Sequence, residues 1–246
     1  MKNLFCTLFF TLFTYLPLST FAASNGQSVD PVDIDLFDQA SLQRGAKTFV
    51  DYCLSCHAAK LMRYNRLTKD IGMTEQEIKN KLIFGHDKIT DPMTVAMRPE
   101  DANKWFGIMP PDLSVIARAR GTDWLYSYLR SFYLDDAHYL GTNNLFFKDV
   151  GMPHVLWQQQ GYQTKNNKTN QLATLPNTGQ QPEMADSTNI PISYDETIRD
   201  LVNFLAYISE PSKIQRLSIG KWVLLYLVVL FILAYAMKKA YWKDVH

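Results

Sequence analysis

Residues 53–57 read Cys-Leu-Ser-Cys-His, and no other stretch of the 246-residue chain limits its fold so tightly. Two thiols three positions apart, followed directly by an imidazole, form the signature of covalent haem attachment. The spacing has a chemical reason. Two thiols add across the two vinyl groups of one haem, and the turn between them sets His57 under the iron as an axial ligand. A bare Cys-x-x-Cys is also read as a redox dithiol or as half of a zinc site. The adjacent His57 favours haem over the dithiol, and there is no second cysteine pair to complete a zinc site. One motif predicts one haem c.

The segment before the motif fits that role. In SLQRGAKTFVDYC, residues Leu42, Ala46, Phe49 or Val50, and Cys53 recur at helical spacing and define one apolar face. Gly45 lies on this predicted helix where another helix could cross closely. Asp35 to Asp38 bring negative charge near its start, where the helix dipole favours it.

Two apolar segments set the topology. Leu4 to Leu18 follows a single charge at Lys2, and Thr20-Phe21-Ala22 fits a signal-peptidase site with cleavage after Ala22. Residues 1–22 are thus expected to be a removed leader, with an uncleaved N-terminal anchor as the other reading. Removing the leader also removes Cys6, leaving Cys53 and Cys56. Near the other end, Trp222 to Met237 holds sixteen residues without a charge. At about 1.5 Å per residue they cover roughly 24 Å. Ile219, Gly220 and a snorkelling Lys221 extend that towards the roughly 30 Å of a bilayer core. Trp222, Tyr226, Tyr235, Tyr241 and Trp242 sit near its ends as interface anchors do. Lys213, Arg216 and Lys221 precede the span and Lys238, Lys239 and Lys243 come after it, so charge does not orient it; the leader does. The expected division is residues 1–22 leader, 23–212 exported domain, 213–240 anchor helix and 241–246 cytoplasmic tail. Lys and Arg number 25 against 24 Asp and Glu, so no strongly basic face invites nucleic acid.

The second axial ligand is open from pattern alone. Histidine with methionine gives a closed site suited to electron transfer. Met109 in GIMPPDLS and Met152 in VGMPH both precede proline, which favours extended backbone. His86, His138 and His154 are weaker candidates with surface or loop roles as the default.

These residues, in this order, resemble cytochrome c1, the haem subunit of the cytochrome bc1 complex. SLQRGAKTFVDYCLSCHAAKLMRYNRL is similar to that family's attachment segment, including Arg63-Tyr64. MPPDLSVIARARG, Met109 to Gly121, resembles its Pro-Pro-Asp-Leu-Ser signature followed by Arg-x-Arg. Gly141 to Pro153 resembles the segment that ends in the ligand methionine. The resemblance implies His57 as proximal and Met152 as distal ligand, with Met109 lining the pocket. It implies Pro110 and Pro111 packed against the haem and Arg120 paired with a propionate. A charged guanidinium suits a carboxylate in such a site; Arg118 is the local alternative. Asn103 and Trp124 are further pocket residues by resemblance. Pro-His-Val after Met152 departs from the family pattern.

The same resemblance implies a non-catalytic electron-transfer subunit of a quinol:cytochrome c oxidoreductase. A Rieske iron-sulfur subunit would reduce the haem, which would pass electrons to a soluble or membrane-bound cytochrome c. Cytochrome b would be a further partner, the complex dimeric, and the site the periplasmic face of a bacterial inner membrane. Asp135, Asp136, Glu183 and Asp186 are acidic residues available to a basic partner, with plain solvation as the alternative. A cytochrome subunit of another membrane oxidase or reductase, or a haem peroxidase, are the competing functions.

The expected architecture is all-α: a c-type cytochrome domain with long loops plus one C-terminal transmembrane helix. One helix is predicted from Leu113 to Tyr133, with Ile116, Ala117, Trp124 and Tyr128 on one face. Another starts at Ser193, where Ser193 and Glu196 make a capping box, and stops before Pro211. Its face is Ile198, Leu201, Leu205 and Ile208. No convincing strand alternation appears, and Gln158 to Asn189 reads as a long solvated loop.

Overall fold

The Asp38 carboxylate accepts the Ser41 amide at 3.0 Å and caps the first described helix, α1 (Gln39–Thr48). A side-chain oxygen in this position satisfies one of the amides that a helix start leaves open. The computed structural model describes residues 28–85, 87–95, 97–166, 168–176, 178 and 192–243. The expected leader with Cys6, His86, Glu183 and Asp186 lie outside the described residues.

After α1 the helix widens into one π turn, Phe49–Cys53, closed by the Leu54 amide on the Phe49 carbonyl at 2.9 Å. Such turns insert one residue and re-aim the chain beyond it, often at functional sites. The chain then forms β1 (Ala59–Arg63), α2 (Arg66–Asp70), α3 (Glu75–Lys81), β2 (Pro92–Met93) and α4 (Pro99–Phe106). Next come α5 (Ile116–Arg120), α6 (Thr122–Arg130), β3 (Phe132–Leu134) and β4 (Thr142–Asn144). The last elements are α7 (Trp157–Gln160), β5 (Gln163–Lys165), β6 (Leu172–Thr174), α8 (Tyr194–Ser209) and α9 (Lys213–Tyr241).

The core lies between α1 and α8, which make the most extensive contact of any two elements, with α5 and α6 packed beside α8. Leu42, Ala46 and Phe49 are buried on one side, and Ile198, Leu201, Leu205 and Ile208 on the other. Gly45 permits the close crossing. A Cβ there would overlap the Asp200 carbonyl and stand 2.8 Å from the Phe204 Cβ, both of which belong to α8. An ion pair with a buried carboxylate and a half-buried guanidinium seals the crossing: Arg44 Nε donates to Asp200 at 2.6 Å, and Ser41 Oγ donates to the same carboxylate at 2.7 Å. The capping box at Ser193 and Glu196 is present, and α8 stops at Ser209, two residues before Pro211.

The helical span predicted from Leu113 to Tyr133 is instead two helices and a strand. Gly121 breaks it, with φ +88° and ψ 151°, a conformation that residues bearing a Cβ rarely adopt. Three antiparallel ribbons, β1–β2, β3–β4 and β5–β6, also stand where no strand signal was legible. At two to five residues each they are too short to display a period of two. The segment read as a solvated loop contains all of α7 but its first residue, together with the β5–β6 hairpin, and β5 packs against β3. Gln163 explains why: buried there, its Nε2 donates to the carbonyls of Arg130 at 2.8 Å and Phe132 at 3.0 Å. The helices still carry the core, so the class is all-α with short ribbons.

Helix α9 is 29 residues long; Ile214 in its first turn packs against the core, while its apolar stretch is not buried against the rest of the chain. At about 1.5 Å per residue it reaches roughly 43 Å, enough to cross a bilayer core of roughly 30 Å.

Candidate functional site

Cys53, Cys56 and His57 sit where the π turn gives way to extended chain. Both cysteines are free thiols, Cys53 buried and Cys56 half-buried. Burial and the neighbouring Cys56 push the Cys53 thiol up to about 12, so it is a neutral thiol in this environment. The His57 amide donates to the Cys53 carbonyl at 2.8 Å, which closes the loop between the motif's ends.

The segment from Pro110 to Ser114 lies directly alongside residues 57–61. The Pro111 carbonyl stands 2.8 Å from His57 Nδ1. A carbonyl only accepts, so the proton is on Nδ1 and the Nε2 lone pair is left available. The contact continues along the chain. The Leu113 amide donates to the Ala58 carbonyl at 2.8 Å, the Lys60 amide to Asp112 Oδ2 at 3.1 Å, and the Leu61 amide to Ser114 Oγ at 3.0 Å. Asp112 also accepts the Ser114 amide at 2.8 Å. Burial raises the Asp112 carboxyl, but the hydrogen bonds from Ser114 and Lys60 outweigh it and hold it below its ordinary value. Burial holds the His57 imidazole down, against the Pro111 hydrogen bond and the Asp112 charge, which favour the cation. The neutral ring is the form that can ligate a metal.

Met152 is reached by a different route. Its Sδ receives a hydrogen bond from the Tyr128 hydroxyl at 3.4 Å. Tyr128 stacks on Trp124 with centroids 4.9 Å apart and meets the edge of Phe132 at 5.3 Å. Phe132 in turn stacks on His154 at 5.0 Å. At the other end of the ladder the Arg120 guanidinium lies over Trp124, 5.1 Å from the ring centroid. Arg120, Trp124 and Tyr128 are thus brought onto one continuous face despite the break at Gly121. Burial pushes the Tyr128 phenol well up, so it remains a donor.

The loop that carries Met152 is held by two buried asparagines. Asn144 donates from Nδ2 to the Tyr128 carbonyl at 2.8 Å, while its Oδ1 accepts the amides of Phe146 at 2.8 Å and Phe147 at 3.3 Å. Asn143 Oδ1 accepts the Asp149 amide at 2.9 Å, and Asp149 takes a positive φ of 57°. Gly151 faces the carbonyl of Phe106, the Tyr139 hydroxyl and Ile108, so this loop abuts the segment that leads into Met109.

The structure therefore joins Cys53, Cys56 and His57 with Pro111, and Met152 with Trp124 and Arg120. Met109 and Pro110 are half-buried beside the first group, whereas Asn103 is exposed on α4. Arg118 and Arg120 are both exposed. His154 is buried in the aromatic ladder rather than on a surface loop, and burial holds its ring down to about 4. The His138 ring lies 4.7 Å from Tyr139. Asp135 accepts from Asn143 Nδ2 at 2.9 Å and from the Ala137 amide at 3.2 Å, so it is engaged within its own turn. Three residues gave no site signal in the sequence. Tyr128 registered only as part of an apolar helical face, and Asn143 and Asn144 carried no pattern beyond an Asn pair after a glycine turn.

Comparison with known proteins shows extensive similarity. The family model described as the cytochrome C1 family matches residues 32–86 and 81–245. A cytochrome c1 of Allochromatium vinosum is 46% identical over 237 residues, covering 96% of this chain and 97% of that one. The ammonia monooxygenase gamma subunit of Nitrosomonas europaea is 47% identical over 239 residues, covering 96% and 98%. The cytochrome c1 of Rhodospirillum rubrum is 28% identical over 240 residues, covering 85% and 83%.

Proposed function

The chain belongs to the cytochrome c1 family of haem-bearing electron-transfer subunits, and from that premise we propose how its site is assigned. One haem c is bound covalently through Cys53 and Cys56, with His57 as proximal and Met152 as distal ligand. Pro110 and Pro111 pack against it, and Arg120 pairs with a propionate.

The observation that carries this reading is the hydrogen bond between His57 Nδ1 and the Pro111 carbonyl. It fixes the tautomer whose free Nε2 can bind iron and orients the ring through a backbone group. Two free thiols stand beside that imidazole, as thioether attachment requires. The second donor would be the Met152 thioether on a separately anchored loop, and a histidine–methionine donor set would suit an electron-transfer haem c. The haem iron supplies the one-electron couple. The chain's own residues would hold that group, His57 and Met152 as ligands, with Tyr128 and the Trp124 ring it stacks on packed beside the sulfur. No proton donor or nucleophile is required of them, so the chain acts as a non-catalytic subunit.

The donor is a Rieske iron-sulfur protein and the acceptor a soluble or membrane-bound cytochrome c, in a dimeric assembly that includes a cytochrome b. Residues 1–22 are removed on export. The domain then lies at the periplasmic face of a bacterial inner membrane, with α9 as anchor and residues 241–246 in the cytoplasm.

Replacing Met152 with leucine tests the ligand set. The expected result is loss of the sulfur-to-iron charge-transfer band and a large fall in potential, with Met109→Leu leaving both in place. An unchanged Met152→Leu spectrum would sink this ligand. The Nitrosomonas relative, named for a different membrane enzyme, motivates a second measurement. Gentle detergent purification through a C-terminal tag should bring down a b-type cytochrome and a Rieske protein. A monooxygenase or oxidase in their place would keep the haem site and overturn the assembly.

A further inference from the structure

We propose that Tyr128 is a positioning residue for the distal sulfur, and that its hydroxyl raises the midpoint potential by donating a hydrogen bond to Met152 Sδ. The inference rests on the reading of Met152 as ligand. A thioether sulfur has two lone pairs and is a weak acceptor. The Tyr128 hydroxyl, 3.4 Å away, engages one of them. That leaves the other for the iron and so selects which side of the sulfur faces it. A bound donor proton also withdraws charge from the sulfur. A poorer sulfur donor stabilises the ferric state less than the ferrous state, which moves the potential upward.

The geometry is built rather than incidental. The Tyr128 ring is held between Trp124 at 4.9 Å and the edge of Phe132 at 5.3 Å, so its hydroxyl has little freedom to turn away. Its backbone is tied by the Asn144 amide, 2.8 Å from the Tyr128 carbonyl. The same Asn144 accepts the Phe146 amide at 2.8 Å on the loop leading to Met152. One side chain therefore ties the backbone of the donor to the start of the loop that leads to the acceptor.

Tyr128→Phe keeps the ring and its stacking while deleting the hydroxyl. It should be made in the full chain and measured in the detergent-purified holocomplex by redox titration and near-infrared spectroscopy. A net hydrogen bond of this kind shifts the reduction equilibrium about threefold to tenfold, which is roughly 28 to 59 mV downward for a one-electron couple. The charge-transfer band should persist at a shifted energy; its loss, with a fall in potential, would equally support the role by showing that the hydroxyl holds the sulfur in place. Tyr126→Phe removes a hydroxyl two residues away, on a ring that lies under Arg130, and should leave the potential unchanged. An unchanged potential and band in Tyr128→Phe overturns the proposal while leaving Met152 as ligand. An equal shift in Tyr126→Phe overturns it as well. A band that survives in Met152→Leu removes the ligand reading, and this proposal with it.

Discussion

The two sides of the site are held by different kinds of bond. On the His57 side the contacts run largely through backbone: the Pro111 carbonyl, the Ala58 carbonyl and the amides of Lys60, Leu61 and Leu113. On the Met152 side nearly every contact is a side chain, from Tyr128 and Asn144 to Asn143. A backbone group survives almost any substitution, whereas a side-chain tether is lost with one. The first side is therefore expected to be tolerant and the second sensitive, apart from the places where backbone itself packs tightly.

The largest expected effect tests that exception. Gly45→Ala puts a Cβ against the Asp200 carbonyl, and neither helix backbone can yield cheaply. The expected cost is about 3 kcal/mol, read as a lower melting temperature and poor accumulation of holoprotein. A wild-type melting temperature would show that the crossing is looser than the structure has it.

Next comes Asn144→Ala, which strands the amides of Phe146 and Phe147 and the Tyr128 carbonyl in a partly buried site. Leaving such groups without partners costs about 2 to 3 kcal/mol. Hydrogen exchange should quicken through residues 145–152 and stay slow at 57–61. Equal quickening of both segments would erase the distinction between the two sides.

Asp112→Ala is the matching change on the tolerant side. It removes the acceptor for the Lys60 and Ser114 amides at a cost of about 1 to 2 kcal/mol. The His57–Pro111 bond is untouched by it, so the absorption spectrum should not change. A changed proximal ligand signature would mean that the carboxylate, and not the carbonyl, orients the ring.

The smallest effect lies outside both sides, at the start of α8. The Ser193 amide and hydroxyl hold the Glu196 carboxyl below its ordinary value. A depressed carboxyl stabilises the fold above its unfolded value, near 4.3, and that gain is lost as pH falls through the folded value. Glu196→Gln should therefore lower the melting temperature by about 1 to 3 °C near pH 7, and the gap should close in acid. A gap independent of pH would point to the amide's shape instead of the charge.

Much of the His57 side was legible because its information is local. The Cys53 to His57 spacing, the apolar face from Leu42 to Cys53 and the capping box at Ser193 each lie within a few helical turns. The span at Trp222 to Met237 is likewise a run of composition, and α9 occupies it. The same holds for Gly45, a lone glycine on an apolar helix that pointed to a close crossing without naming the partner.

The chain's pattern by itself determined the Cys-x-x-Cys-His spacing, the helix signals and the apolar span, all matters of local order along the chain. Tertiary structure alone decided the rest. It placed Asp200 against Arg44 across 156 positions and Tyr128 against Met152 across 24. It also broke the predicted helix at Gly121, where a positive φ is an option that the residue type permits but does not require. Periodicity reports which face of an element is buried. Which element covers that face, and which hydroxyl meets which sulfur, depends on the path of the intervening chain.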